Sequence, residues 1–215
     1  MSKTNEQIME WAGMFGREYT DRNAASYDDF EKLYQDNFGI SRTNLNQKFL
    51  NLIPSVAKIL EVGSNVGNQL LCLQKMGFTN LYGVELQSYA VELSKKRTEQ
   101  INLIEGSVFD VPFKNSYFDL VFTSGVLIHI SPKNLPEALK EIHRVSKTYI
   151  WGFEYWSDSH QEVNYRGKNN LLWKGNFAQM YLNLFKDLER VKEERLKYLT
   201  SDNIDSMFLL KKKNG

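Results

Sequence analysis

The chain has 215 residues, 42% of them hydrophobic and 25% charged, a composition that excludes global disorder and fibrous architectures. Its length suits one domain, because single cores serve chains up to roughly 250 residues. Lysine and arginine number 27 against 26 acidic residues, and a net charge of +1 lacks the excess with which a nucleic-acid binder neutralises phosphates. Nucleic acid is therefore not expected as a partner.

No stretch approaches the roughly 20 apolar residues of a membrane span, and Met1 to Glu10 lacks the basic-then-apolar order of a secretory signal. The single cysteine, Cys72, cannot form an intrachain disulfide and sits among leucines as a small buried residue would. A cytoplasmic protein that does not engage the membrane is expected. Lys211, Lys212 and Lys213 read as a solvated end.

The amino-terminal part predicts helices. Ile8, Trp11, Ala12, Phe15 and Tyr19 follow helical spacing, weakened by Gly13 and Gly16, and Tyr27, Phe30, Leu33 and Phe38 form a second stripe ending at Gly39. Leu45, Phe49, Leu52 and Ile53 form a third, with Ser41 and Thr43 as possible caps and Pro54 as its stop. Residues 1–55 are read as a helical cap on the domain that 56–215 builds.

From Val56 the chain alternates strand-like and helix-like pieces, the pattern of a parallel sheet covered on both faces. Strands are predicted at Lys58 to Val62, Leu81 to Glu85, Ile101 to Glu105, Asp119 to Thr123 and Thr148 to Phe153. Helices are predicted at Val66 to Met76, Ser88 to Arg97, Asn134 to Val145 and Asn176 to Phe185. Glu189 to Tyr198 and Ser206 to Lys211 flank a turn and suit an antiparallel hairpin, although the spacing of Glu193 and Lys197 would also suit a helix. The fold class expected is a doubly wound, mostly parallel α/β sheet ending in that hairpin.

The stretch Glu61-Val62-Gly63-Ser64-Asn65-Val66-Gly67 runs from a strand through a glycine turn into a helix, where the backbone can come close to a ligand. Glu85 ends the next strand at the spacing, about 20 residues on, of the acid that holds ribose hydroxyls. A nicotinamide dinucleotide and S-adenosylmethionine both use such a crevice. The dinucleotide pattern wants a second glycine where Asn65 stands, and Glu61 would repel a phosphate but accept a hydrogen bond from an ammonium group. No tyrosine is followed four residues later by lysine, so the short-chain dehydrogenase pair is absent. An amino-acid-like cofactor fits better; an NAD(P)-dependent oxidoreductase and a non-catalytic cofactor-binding partner remain the alternatives.

These motifs resemble the class I S-adenosylmethionine-dependent methyltransferases, with Gly83-Val84-Glu85-Leu86, Gly106 to Phe113 and Phe118 to Val126 as further matching segments. The resemblance implies that Gly63, Ser64, Asn65 and Gly67 pack against the methionine portion, that Glu85 binds the ribose, and that Leu86 and Val108 enclose the adenine. It places the backbone at Ser124 towards the substrate. Many members carry aspartate where Ser107 stands, which would shift the adenine contact to Asp110 or to backbone. Trp11 to Asn23, Tyr165 to Leu172 and Asp205 to Leu210 further resemble the pseudaminic acid biosynthesis-associated methylases, which implies a nonulosonic acid or related sugar intermediate as acceptor.

Methyl transfer rests mainly on positioning. Should the acceptor be a hydroxyl, His129, just past the fourth strand, is the candidate base; the alternative is that it only packs within its apolar run. Tyr19, Arg22 and Arg42 are candidates for the methionine carboxylate or an acidic acceptor, and Arg166 for the acceptor's carboxylate. His160 and Tyr165 are candidates for the acceptor pocket, whereas His143 reads as a surface residue. No metal ligands are assigned, and a monomer and a homodimer are both left open.

Overall fold

The structure is a computed structural model that describes residues 6–213; residues 1–5 of the expected cap and 214–215 of the core fall outside it. In chain order the elements are α1 (Glu6–Ala12), α2 (Met14–Asn23), α3 (Tyr27–Phe38), α4 (Arg42–Leu50), β1 (Lys58–Val62), α5 (Asn68–Lys75), β2 (Asn80–Glu85), α6 (Ser88–Arg97), β3 (Asn102–Glu105) and β4 (Phe118–Ser124). They continue with α7 (Leu135–Val145), β5 (Ser146–Tyr155), β6 (Gln161–Glu162), β7 (Trp173–Lys174), α8 (Phe177–Leu184), β8 (Leu188–Lys197) and β9 (Ile204–Lys212).

The main sheet has seven strands in the order β3-β2-β1-β4-β5-β9-β8, and β6 pairs with β7 separately. Strands β1 to β5 run parallel, and β9 pairs antiparallel with both β5 and β8. The order reverses between β1 and β4, and the crevice outside the carboxyl ends of such strands is where doubly wound sheets bind ligands. Val62, Glu85, Ser124 and Tyr155 all lie at that edge, and the antiparallel β9 brings Asp205 beside Tyr155.

Both faces of the sheet are covered. Tyr34, Leu45, Phe49, Leu70 and Leu73 pack with Ile59, Leu120 and Phe153 on one face. On the other, Leu139, Ile142, Phe177 and Tyr181 pack with Leu60, Val121 and Phe208. Burying a leucine or phenylalanine contributes about 1.5–3 kcal/mol each, so the two layers hold the sheet's edge rigidly beneath the crevice.

Several expected boundaries move for local reasons. The first stripe is two helices, because Gly13 is extended between them, and the break lets Trp11 meet Phe15 and Tyr19 edge-on. Ser41 caps α4 by accepting from the Asn44 amide, while the Thr43 amide donates to Glu31, so Thr43 is not the cap. The helix ends at Leu50, short of Pro54. Helix α5 begins at Asn68 and not at Val66, since Gly67 is left-handed with φ 80°. Residues Leu188–Lys197 form a strand along β9, which settles the ambiguity at Glu193 and Lys197.

Two surface readings also change. His143 stacks on Phe185 at 4.0 Å and bonds Asp187 through Nε2 at 2.9 Å. Lys212 donates to the carbonyls of His143 and Ser146.

Candidate functional site

Strand β1 ends in a turn whose shape depends on glycine. Gly63 has φ 76°, and a Cβ there would lie 2.5 Å from Val126 Cγ2. The amides of Gly63 and Ser64 both donate to the Val84 carbonyl at the end of β2. Asn65 follows with φ 46°, a conformation asparagine tolerates better than most residues. Its amide donates to Glu85 Oε2 at 2.8 Å, and the Gln87 amide donates to Glu85 Oε1 at 2.8 Å. One carboxylate thus ties the turn after β1 to the loop after β2.

Above this edge lies a cavity of about 360 Å³. Its walls include Glu61, Gly63, Ser64, Asn65, Glu85 and Leu86 from the first two strand ends. Ser107, Val108 and Phe109 line it from the loop after β3, Ser124 and His129 from the end of β4, and Tyr19 and Tyr165 from above. The structure therefore brings most of the expected site residues to one space. Gly67 lies outside the lining and starts α5 instead.

The expected basic contacts are not brought there. Arg22 is exposed and pairs with Glu18. Arg166 is exposed with its guanidinium 5.9 Å from the Tyr165 ring centroid. Arg42 is fully buried behind the wall, where it donates to Asn46 Oδ1 and the Tyr34 hydroxyl and lies 4.4 Å from the Phe153 ring centroid. His160 also lies off the lining, against Phe177. Asp110, the proposed substitute for an adenine contact, is exposed and off the lining, and Ser107 Oγ accepts from the Phe109 amide.

Helices α1 and α2 close one side of the cavity through polar links. The Gln87 side chain donates to the carbonyls of Trp11, Ala12 and Gly13, the last of these at 3.0 Å. Gln7 donates to the carbonyls of His129 and Asn170 and accepts from the Ser131 amide. Trp11 lies 4.4 Å from the His129 ring.

His129 Nδ1 lies 2.7 Å from the Leu171 carbonyl. A carbonyl only accepts, so Nδ1 carries the proton and Nε2 is left with its lone pair. Burial pushes the imidazole pKa down to about 4, against a smaller opposing pull from that carbonyl. The ring is therefore neutral near pH 7, a hydrogen-bond acceptor and a weak base.

Sequence patterns alone missed the far wall, which Tyr34, Phe38, Glu154, Tyr155, Tyr198 and Asp205 form. The carboxylate of Glu154 accepts from the Val126 and Ile128 amides, fixing the loop after β4, and burial raises its pKa to about 7. Asp205 accepts from the Tyr198 hydroxyl at 3.1 Å and is likewise raised by burial to about 7. Burial holds Glu61 well above the usual carboxylate range, opposed by Arg42 and reinforced by Glu85. The one available signal was an acid, Asp205, opening an apolar run.

Residues 60–149 match the family model described as a methyltransferase domain. The chain is 30% identical over 90 residues to an uncharacterised methyltransferase of Synechocystis, covering 42% of each protein. It is 29% identical over 103 residues to sterol methyltransferase-like 3 of Botryococcus braunii, covering 45% of this chain and 26% of that protein. The match thus spans less than half of either relative. Magnesium protoporphyrin IX methyltransferase of Synechocystis, solved with S-adenosylmethionine, superposes with TM-score 0.70 at 9% identity over 99% of this chain and all of that one (100%). The 1,6-didemethyltoxoflavin-N1-methyltransferase of Burkholderia thailandensis, solved with S-adenosylhomocysteine, gives 0.66 at 14% identity, covering 92% and 88%. The chain has the class I methyltransferase fold, and its residues 60–149 are similar to the methyltransferase domain.

Proposed function

We propose that this chain binds S-adenosylmethionine in the crevice and transfers its methyl group to a small polar acceptor. The observation that carries the reading is the pair of acids at the ends of β1 and β2. Glu85 is clamped by two amides of the surrounding turns, and beside it the buried Glu61 keeps one oxygen, Oε2, without a partner. An unpaired buried acceptor costs about 1–3 kcal/mol, a cost that the ammonium group of the cofactor would remove. Asn65 Oδ1 is unpaired in the same way. Two proteins of the same fold hold this cofactor or its demethylated product, which supports the assignment.

When bound, the sulfonium supplies an electrophilic methyl group for in-line displacement. Glu61 would hold the ammonium, Glu85 the ribose hydroxyls, and Leu86 and Val108 the faces of the adenine. With Ser107 Oγ turned to the Phe109 amide and Asp110 outside, the adenine edge falls to the backbone of 107–109. His129 Nε2 would accept a hydrogen bond from the acceptor, orienting it rather than fully deprotonating it. Helices α1 and α2 would keep water from the reacting atoms.

The resemblance of the chain's ends to the pseudaminic acid-associated methylases supports a sugar intermediate as acceptor. Recognition of a carboxylate by Arg22 or Arg166 has no support in the cavity, whose lining includes neither residue. Calorimetry should show S-adenosylmethionine binding to the wild-type protein and its loss in Glu85→Ala. Wild-type protein without affinity at millimolar cofactor would overturn the proposal.

A further inference from the structure

Beyond the acids assigned to the cofactor, the far wall of the cavity carries an acid and a set of rings of its own. We infer that the acceptor carries a positively charged amino group, seated against Asp205 beside the packed rings of Phe38, Tyr155 and Tyr198. The inference rests on the methyltransferase reading in taking this wall as the acceptor's place.

Asp205 is 2% exposed and lines the cavity. Its Oδ2 is taken by the Tyr198 hydroxyl, and its Oδ1 has no hydrogen-bond partner. The other carboxylate of this wall, Glu154, differs in that both oxygens accept backbone amides. Asp205 is thus the acid on this wall with an acceptor to spare.

Among the described residues the lining supplies four carboxylates, Glu61, Glu85, Glu154 and Asp205, and neither lysine nor arginine. Two cations outside the lining, Arg42 and Lys174, act on Asp205 by charge. Arg42 is engaged by Asn46 and Tyr34, and Lys174 donates to Asn203 with its ammonium 5.8 Å from the Tyr155 ring centroid. The four acids outnumber these two cations only where they are ionised. A carboxylate-bearing acceptor would meet ionised acids with no cation in the described lining, whereas a cation would gain from each acid left ionised.

The rings add direction. Phe38 and Tyr198 are 4.5 Å apart edge to face, and Tyr155 lies 6.3 Å from Tyr198. Aromatic faces beside a carboxylate are the chemistry that recognises ammonium ions. The charged nitrogen keeps its proton and has no lone pair, so it serves as a handle and the methylated atom is a different one.

Three probes of equal size and different charge test this: tetramethylammonium, neopentyl alcohol and pivalate. Saturation-transfer NMR titrations with and without S-adenosylhomocysteine, above the Asp205 pKa of about 7, should rank the cation at least tenfold tighter than the alcohol, with pivalate weakest. Asp205→Asn should bring the cation down to the alcohol's level while leaving S-adenosylhomocysteine affinity and melting temperature near wild type. Equal binding of the probes, preference for pivalate, absence of cation binding, or an unchanged ranking in a folded Asp205→Asn would overturn the inference. Failure of wild-type protein to bind S-adenosylhomocysteine would instead overturn the cofactor assignment, which the probe ranking without it leaves separately readable.

Discussion

Gly63 carries two constraints at once, a positive φ and the 2.5 Å approach that a Cβ would make to Val126. Gly63→Ala should cost about 1–3 kcal/mol in urea unfolding and abolish S-adenosylmethionine binding by calorimetry. Adding Val126→Ala should restore part of the stability, because it removes the clash but not the backbone strain. At His129, a pKa of about 4 means that a profile of rate against pH should show no histidine limb near the ordinary 6.5; such a limb, lost in His129→Asn, would reverse that assignment. Gly63 and Glu85 were legible in the sequence because turn geometry and strand-end acids repeat at fixed spacing. Asp205 and Glu154 were not, because their burial comes from strands and helices distant in sequence. Arg22, Arg166 and His160 show the converse, with suitable chemistry at positions that the fold turns elsewhere.

At the scale of elements, α1 is held over the cavity largely by polar links from the Gln87 and Gln7 side chains. Gln87→Ala leaves three carbonyls without that donor, at about 0.5–1.5 kcal/mol per bond. Amide hydrogen exchange should quicken across 6–12 while β1 and β4 keep their protection. Unchanged exchange there would assign the hold on α1 to Trp11 packing instead. The strands of the parallel core stood out because buried strands are continuous apolar runs, and α3 because its stripe and its glycine stop agree. The split between α1 and α2 was less visible, since helical spacing continues across Gly13. The strand character of β8 depends on pairing with β9, which local charge spacing does not encode.

For the molecule as a whole, two interior carboxyls make stability depend on pH. Unfolded, Glu154 and Asp205 ionise near 4.5 and 3.8; folded, both keep their protons to about 7. Between those values the folded state binds more protons, so the contribution of these two groups to stability should fall as pH rises and level off above about 7. Melting temperature measured across that window should decline in wild type and decline less in Asp205→Asn. The sheet's strand order has one more consequence. The inner strand β9 seals the margin of β5 that the parallel strands leave open and carries Asp205 to it. During synthesis the ends of β1 and β2 are spelled out long before β9, so Asp205 and Tyr198 are the last of the described residues to reach the cavity.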